Sequence, residues 1–144
     1  RRLVVENDEA SFTVADCLRI HGEIGIPVVF DHQHHRLNPG RMDVEQAARR
    51  AIRSWPAGVT PKIHFSSARL DGRLVKRGSV QRMEPPLLRQ HADFVDPWTL
   101  ADLLTALADL PFDVMIEAKA KDLAVLKVRQ DLAALGRADV LRAP

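Results

Sequence analysis

Four short apolar runs recur along the chain, at Leu3 to Val5, Pro27 to Phe30, Lys62 to Phe65 and Asp113 to Ile116, and helix-forming stretches separate them. Runs of this length, rich in β-branched residues, read as strands, and the continuous ones as strands buried on both faces. Thr13 with Asp16 three residues on forms a capping-box signal for a helix through DCLRIHGEI, which Gly25 stops. Asp43 opens a second helix, VEQAARRAIRSW, ending before Pro56 and Gly58, and Asp96-Pro97 supplies an N-cap and first-turn proline for TLADLLTALADL. A last helix spans Lys121 to Leu135, closed by Gly136. Ser66 to Gln90 breaks the rhythm, carrying Gly72, Gly78, Pro85 and Pro86 with little periodicity, and reads as a long excursion.

The order β-α-β-α-β-loop-α-β-α predicts an α/β fold with a parallel sheet covered by helices. Two architectures fit it, an open doubly wound sheet or a piece of a closed (β/α)8 barrel of the TIM type. A closed barrel takes about 250 residues, so a single domain over residues 1–144 with four βα units amounts to half of one. The chain opens on Arg1-Arg2 with no methionine, directly before the first apolar run, and a fragment is the expectation.

Composition narrows the chemistry. Cys17 is the single cysteine, which excludes an internal disulfide and a cysteine-held zinc; a metal would rest on imidazole and carboxylate, and a cytoplasmic location is expected. The net charge is only +2, yet 16 of the 21 basic residues are arginine, whose planar fork suits phosphate. No apolar run is long enough to span a bilayer, so no membrane partner is expected. Neither a glycine-rich phosphate loop nor a nucleophile elbow nor a dinucleotide fingerprint is present, so no nucleotide cofactor is expected.

Acids and histidines gather where the strands end: Glu6 after LVV, Asp31 and His34 after PVVF, His64 within KIHF and Glu117 after DVMI. Parallel α/β folds bind ligands at that rim. The cluster Asp31-His-Gln-His34-His35 mixes hard oxygen with borderline nitrogen, the set that suits Zn²⁺, Mn²⁺ or Fe²⁺ better than Ca²⁺, although a solvated polar turn fits it equally. Lys62 and His64 alternate with apolar neighbours and therefore share one side of a strand. An inward lysine is costly unless paired, deprotonated or modified, and a solvated edge lysine is the simpler reading. His91 and Asp93 repeat the alternation, with Asp93 equally suited to capping the next helix. His21 reads as a surface or packing residue, and Cys17 as a small buried hydrophobe. Within the excursion, Arg69, Arg73, Lys76 and Arg77, with Arg82 and Arg89, stand against only Asp71 and Glu84; the segment suits phosphate binding, or merely solubility.

The runs LVVEND, GIPVVFDHQHH, PKIHFSS, HADFVD and VMIEAKAKD, in this order, resemble the UV damage endonuclease family over nearly the whole chain. The resemblance implies a TIM-type barrel related to endonuclease IV and a cluster of up to three divalent ions, commonly Mn²⁺. It also implies cleavage of damaged double-stranded DNA immediately 5′ of a lesion such as a pyrimidine dimer, leaving a 3′-hydroxyl and a 5′-phosphate. Carried over by position, Glu6 resembles the carboxylate that bridges two metals, with Asp31, His64 and Glu117 completing the second site. His34 and His91, with Asp93, resemble ligands of the third ion. Lys62 matches a lysine that can be carboxylated, so that Glu6, Lys62 and Glu117 stand as the catalytic set. Because the chain begins at the equivalent of the fifth strand, the resemblance implies the C-terminal half of the barrel, without the first-half histidines. Two other readings stay open, a sugar isomerase of the xylose isomerase type and a non-catalytic half barrel that binds DNA or a partner half. The sequence leaves the oligomeric state open.

Overall fold

Alternation along the strands decides how the chain is layered. The computed structural model describes residues 3–141, so Arg1 and Arg2, expected ahead of the first strand, lie outside the described residues. Four parallel strands form one sheet in the order in which they occur: β1 (Val5–Glu6), β2 (Val28–Asp31), β3 (Lys62–Phe65) and β6 (Asp113–Ile116). A doubly wound sheet reverses its strand order at a switch point. The four strands of this sheet follow one another without such a reversal among the described residues.

The register pairs Val5 with Val28, Phe30 with Ile63 and Phe65 with Ile116, so these apolar side chains share one face. Val28, Phe30, Ile63 and Phe65 are fully buried there. Helices α1 (Val14–Ile24), α3 (Val44–Arg53), α4 (Pro97–Ala106) and α5 (Asp122–Ala134) supply Val14, Cys17, Ala48, Ile52, Leu100, Val128 and Leu132 to the same core. The opposite face carries Glu6, Asp31, Lys62, His64, Asp113 and Met115. β2 is buried on both faces, as its continuous apolar run predicted, with Val29 on the same side as Asp31, whereas β3 and β6 alternate between more buried and more exposed positions.

The predicted caps are formed. Thr13 and Asp16 make a reciprocal capping box on α1, Asp43 accepts from Gln46 N–H on α3, and Asp96 caps α4 beside Pro97. Gly25 ends α1 and Gly136 follows α5 at φ 68°, in each case the left-handed geometry that favours glycine. His21 is half-buried, its Nδ1 lying 2.9 Å from the Ile26 carbonyl. No helix among the described residues is long and apolar enough to cross a membrane.

Three local expectations change. The first strand begins at Val5 rather than Leu3, because pairing can start only where β2 offers a partner: Val5 N–H donates to the Pro27 carbonyl, and Leu3 remains 70% exposed. Asp31 does not begin a polar loop; it caps a six-residue helix, α2 (His32–Leu37), that follows β2 without a break. The excursion is not irregular throughout, since β4 (Arg73–Arg77) and β5 (Val80–Glu84) form an antiparallel hairpin around a two-residue Gly78-Ser79 turn, with Gly78 at φ 64°.

Candidate metal centre

Each strand ends by delivering a polar side chain to the same place. Glu6 closes β1, Asp31 closes β2, His64 lies one residue before the end of β3, and Glu117 directly follows β6, its N–H donating to the Phe65 carbonyl. Two groups of ligating atoms result, Glu6 with Asp31 and His34, and Asp31 with His64 and Glu117, the atoms of each lying within 4.8 Å of one another. Asp31 belongs to both.

Asp31 is fully buried. Its Oδ1 accepts from His34 N–H at 2.7 Å, while Oδ2 has no hydrogen-bond partner among the described residues. An orphaned buried carboxylate oxygen costs about 1–3 kcal/mol or more unless a cation or proton meets it. Burial first, and then the nearby Glu6 and Glu117 carboxylates, push the Asp31 carboxyl above its usual range, against the pull of the His34 N–H and ring. His64 Nδ1 stands 2.9 Å from Glu6 Oε1 and 3.5 Å from Glu117 Oε1. The hydrogen bond to Glu6 first, and then the charges of Glu6, Glu117 and Asp31, raise the His64 pKa against the effect of its burial.

His34 and Asn7 hold the other side. The Asn7 side chain, itself buried, donates to the Asp31 carbonyl at 3.0 Å and accepts from the Asp31 N–H at 2.9 Å. The Asn7 backbone carbonyl meets His34 Nδ1 at 3.0 Å, the ring nitrogen that also lies 3.7 Å from Asp31 Oδ1 and 3.9 Å from Glu6 Oε1. Glu9 Oε2 lies 3.9 Å from His34 Nε2. Sequence alone does not single out Asn7 and Glu9, although both sit in the short polar run directly after Glu6.

The other expected residues are placed as follows. His91 Nε2 lies 3.9 Å from Glu117 Oε2, at the edge of the centre, while Asp93 is exposed and joins neither group of ligating atoms. Lys62 is exposed, two residues before His64 on the same face of β3, with Asp113 as its register partner. Of the three clustered histidines only His34 reaches the centre. One helical turn carries His32 and His35 together to the opposite side, where His32 stacks on Phe65 at 4.7 Å and His35 packs against Phe30 at 5.4 Å. Cys17 is buried as expected, and burial pushes its thiol up to about 11.

A donor set of carboxylates and imidazoles, with a buried carboxylate oxygen lacking any partner, fits a divalent metal ion. Of the basic residues of the excursion, Arg73 pairs with Glu84 at 2.9 Å, Arg77 with Glu84 at 3.4 Å and Arg69 with Asp71 at 3.6 Å, Lys76 is exposed, and Arg89 Nη1 lies 3.9 Å from Glu9 Oε1.

Comparison with known proteins agrees in extent with the ordered strand ends. The profile of the family described as UV-endonuclease UvdE matches residues 1–142. A UV DNA damage endonuclease of Bacillus velezensis is 32% identical over 139 residues, covering 94% of this chain and 39% of that protein. One of Bacillus pumilus is 34% identical over 138 residues, covering 93% of this chain and 39% of the relative. The crystal structure of SacUVDE superposes with a TM-score of 0.70 at 27% identity, over 94% of this chain and 41% of that one. The chain therefore spans about two fifths of the length of the relatives it matches.

Proposed function

The chain belongs to the UV-endonuclease UvdE family, and from that membership we propose that it forms the C-terminal half of a metal-dependent (β/α)8 endonuclease acting on damaged double-stranded DNA in the cytoplasm. The reaction is hydrolysis of the phosphodiester immediately 5′ of a lesion such as a pyrimidine dimer. The observation that carries this reading is the Asp31 carboxylate, fully buried, shared by two groups of ligating atoms and lacking a partner at Oδ2.

Glu6, Asp31, His64 and Glu117 would hold divalent ions at the strand ends, with Glu6 and its two carboxylate oxygens as the shared ligand, and His34 and His91, with Asp93, would hold a further ion. Divalent cations, Mn²⁺ in the first place, supply Lewis acidity and charge neutralisation for phosphodiester hydrolysis when bound. The protein's own part is orientation. Asn7 fixes the Asp31 backbone on both sides and presents a carbonyl to His34 Nδ1. His64, its pKa raised by the hydrogen bond to Glu6, stands between Glu6 and Glu117, and Lys62, on the same face, is the lysine open to carboxylation. The arginines and lysine of the hairpin segment, Arg69, Arg73, Lys76 and Arg77, face the DNA.

The test is nicking of ultraviolet-irradiated plasmid in the presence of Mn²⁺ by the full-length protein carrying this chain, with unirradiated plasmid as control. Irradiated plasmid is nicked and the control is not; Glu6→Gln removes the activity and keeps the fold by circular dichroism. Equal nicking of both plasmids, or unchanged nicking by Glu6→Gln, would contradict the proposal.

A further inference from the structure

The β4–β5 hairpin has two faces of different chemistry. Directly opposed residues of an antiparallel pair project to the same side. The register therefore groups Arg73, Val75 and Arg77 with Glu84, Arg82 and Val80, and places Leu74 and Lys76 with Met83 and Gln81 on the reverse. The first face holds a groove of about 330 Å³ lined by Val75, Arg77, Val80, Arg82 and Glu84. Glu84 pairs with Arg73 at 2.9 Å and Arg77 at 3.4 Å, holding two guanidinium groups side by side while neutralising one charge. On the reverse, Leu74 is 63% and Met83 71% exposed, directly opposite each other. Met83 lies across Gly72, where an added Cβ would meet its sulfur at 3.0 Å, so the glycine makes room for an apolar side chain laid open to solvent.

The root of the hairpin fixes where it stands. Ala68 bridges His91, and Arg69 N–H donates to the Gln90 carbonyl at 2.7 Å. Gln33, buried in α2 next to His34, donates to the Leu88 carbonyl at 2.7 Å and accepts from the Ser66 hydroxyl at 2.5 Å. The hairpin thus rises from the rim that carries His91 and Glu117.

We propose that the hairpin grips duplex DNA with both faces, its arginine face on the sugar–phosphate backbone and its Leu74–Met83 pair against the neighbouring bases. The inference rests on the DNA-directed reading of the adjacent centre. Guanidinium forks match phosphate oxygens, and a valine floor between them suits the apolar edge of a sugar. A two-stranded ribbon is narrow enough to enter a DNA groove, and leucine and methionine are among the side chains that wedge between base steps. An anionic duplex accounts for the arginines and the apolar pair together. A second copy of this chain, with net charge +2, would meet the arginines with a surface of the same overall sign.

The experiment is a salt titration of binding by the full-length protein, in EDTA, to a duplex oligonucleotide carrying 2-aminopurine, read by anisotropy and by 2-aminopurine fluorescence. Arg77→Ala with Arg82→Ala lowers the slope of log K against log salt by about 0.9 for each phosphate that the variant no longer neutralises, and Arg77→Lys with Arg82→Lys retains it. Leu74→Ser with Met83→Ser keeps the slope, weakens binding about tenfold and removes the fluorescence rise, a loss of roughly 1.4 kcal/mol by the tenfold conversion. Thermal melts followed by circular dichroism check that each variant is folded. If the wild type binds duplex and both pairs of variants match it, the hairpin inference falls while the endonuclease reading stands; a change in only one arm overturns the two-faced assignment. A wild type that binds no duplex overturns the hairpin inference, while the endonuclease reading is decided separately by the plasmid-nicking test.

Discussion

Asp31 draws the electrostatics of the centre into a single carboxylate. It is buried, shared by both ligand groups and tied at its backbone by Asn7, so it cannot turn away from the charge it faces. Proximity in sequence misleads at the neighbouring histidines: His34 reaches the centre, whereas His32 and His35 enter the core. Burial, with a smaller contribution from the charge of Arg36, lowers the His32 pKa from 6.5 to about 4. A depressed histidine is neutral in the folded chain while the unfolded chain takes up a proton. Its contribution is therefore intact above pH 6.5 and is lost progressively as the pH falls towards 4, by on the order of 3 kcal/mol. Urea denaturation at pH 7 and at pH 4 should show His32→Phe, which keeps the stacking on Phe65, losing less stability on acidification than the wild type by about that amount. Equal losses would show that His32 titrates normally.

At the scale of elements, what was legible in sequence was punctuation. Thr13, Asp43 and Asp96 announce their helices because a short polar side chain before an apolar period has one economical use, the capping of free N–H groups. Removing the Thr13 hydroxyl by Thr13→Ala should cost about 1 kcal/mol in chemical denaturation, with Thr13→Ser restoring most of it; no difference between the two would discount the capping box. The strands Lys62–Phe65 and Asp113–Ile116 were legible to the residue. The hairpin was not, because its alternation of apolar and charged side chains serves exposed faces and leaves no apolar stripe, although Gly78-Ser79 between Arg77 and Val80 is a two-residue turn signal. Helix α2 is illegible for another reason: six residues carry too little periodicity to separate a helix from a polar turn. Asn7 and Glu9 act through distance and burial, which only the fold supplies.

For the molecule as a whole, strand order and side-chain alternation do the organising. Sequential parallel strands place the helices on one face, which absorbs the apolar half of each strand, and leave the other face to Glu6, Asp31, Lys62 and His64. The family match extends from residue 1 to 142 while the chain spans 39% of its relatives. The proposal turns on whether the strand-end centre of this chain holds a divalent ion. Mn²⁺ titration of the purified chain, with free ion counted by electron paramagnetic resonance, tests it most directly. The prediction is uptake of at least one ion per chain at micromolar Mn²⁺, abolished by Asp31→Asn in a variant that remains folded. No uptake by the wild type, or equal uptake by Asp31→Asn, would contradict it.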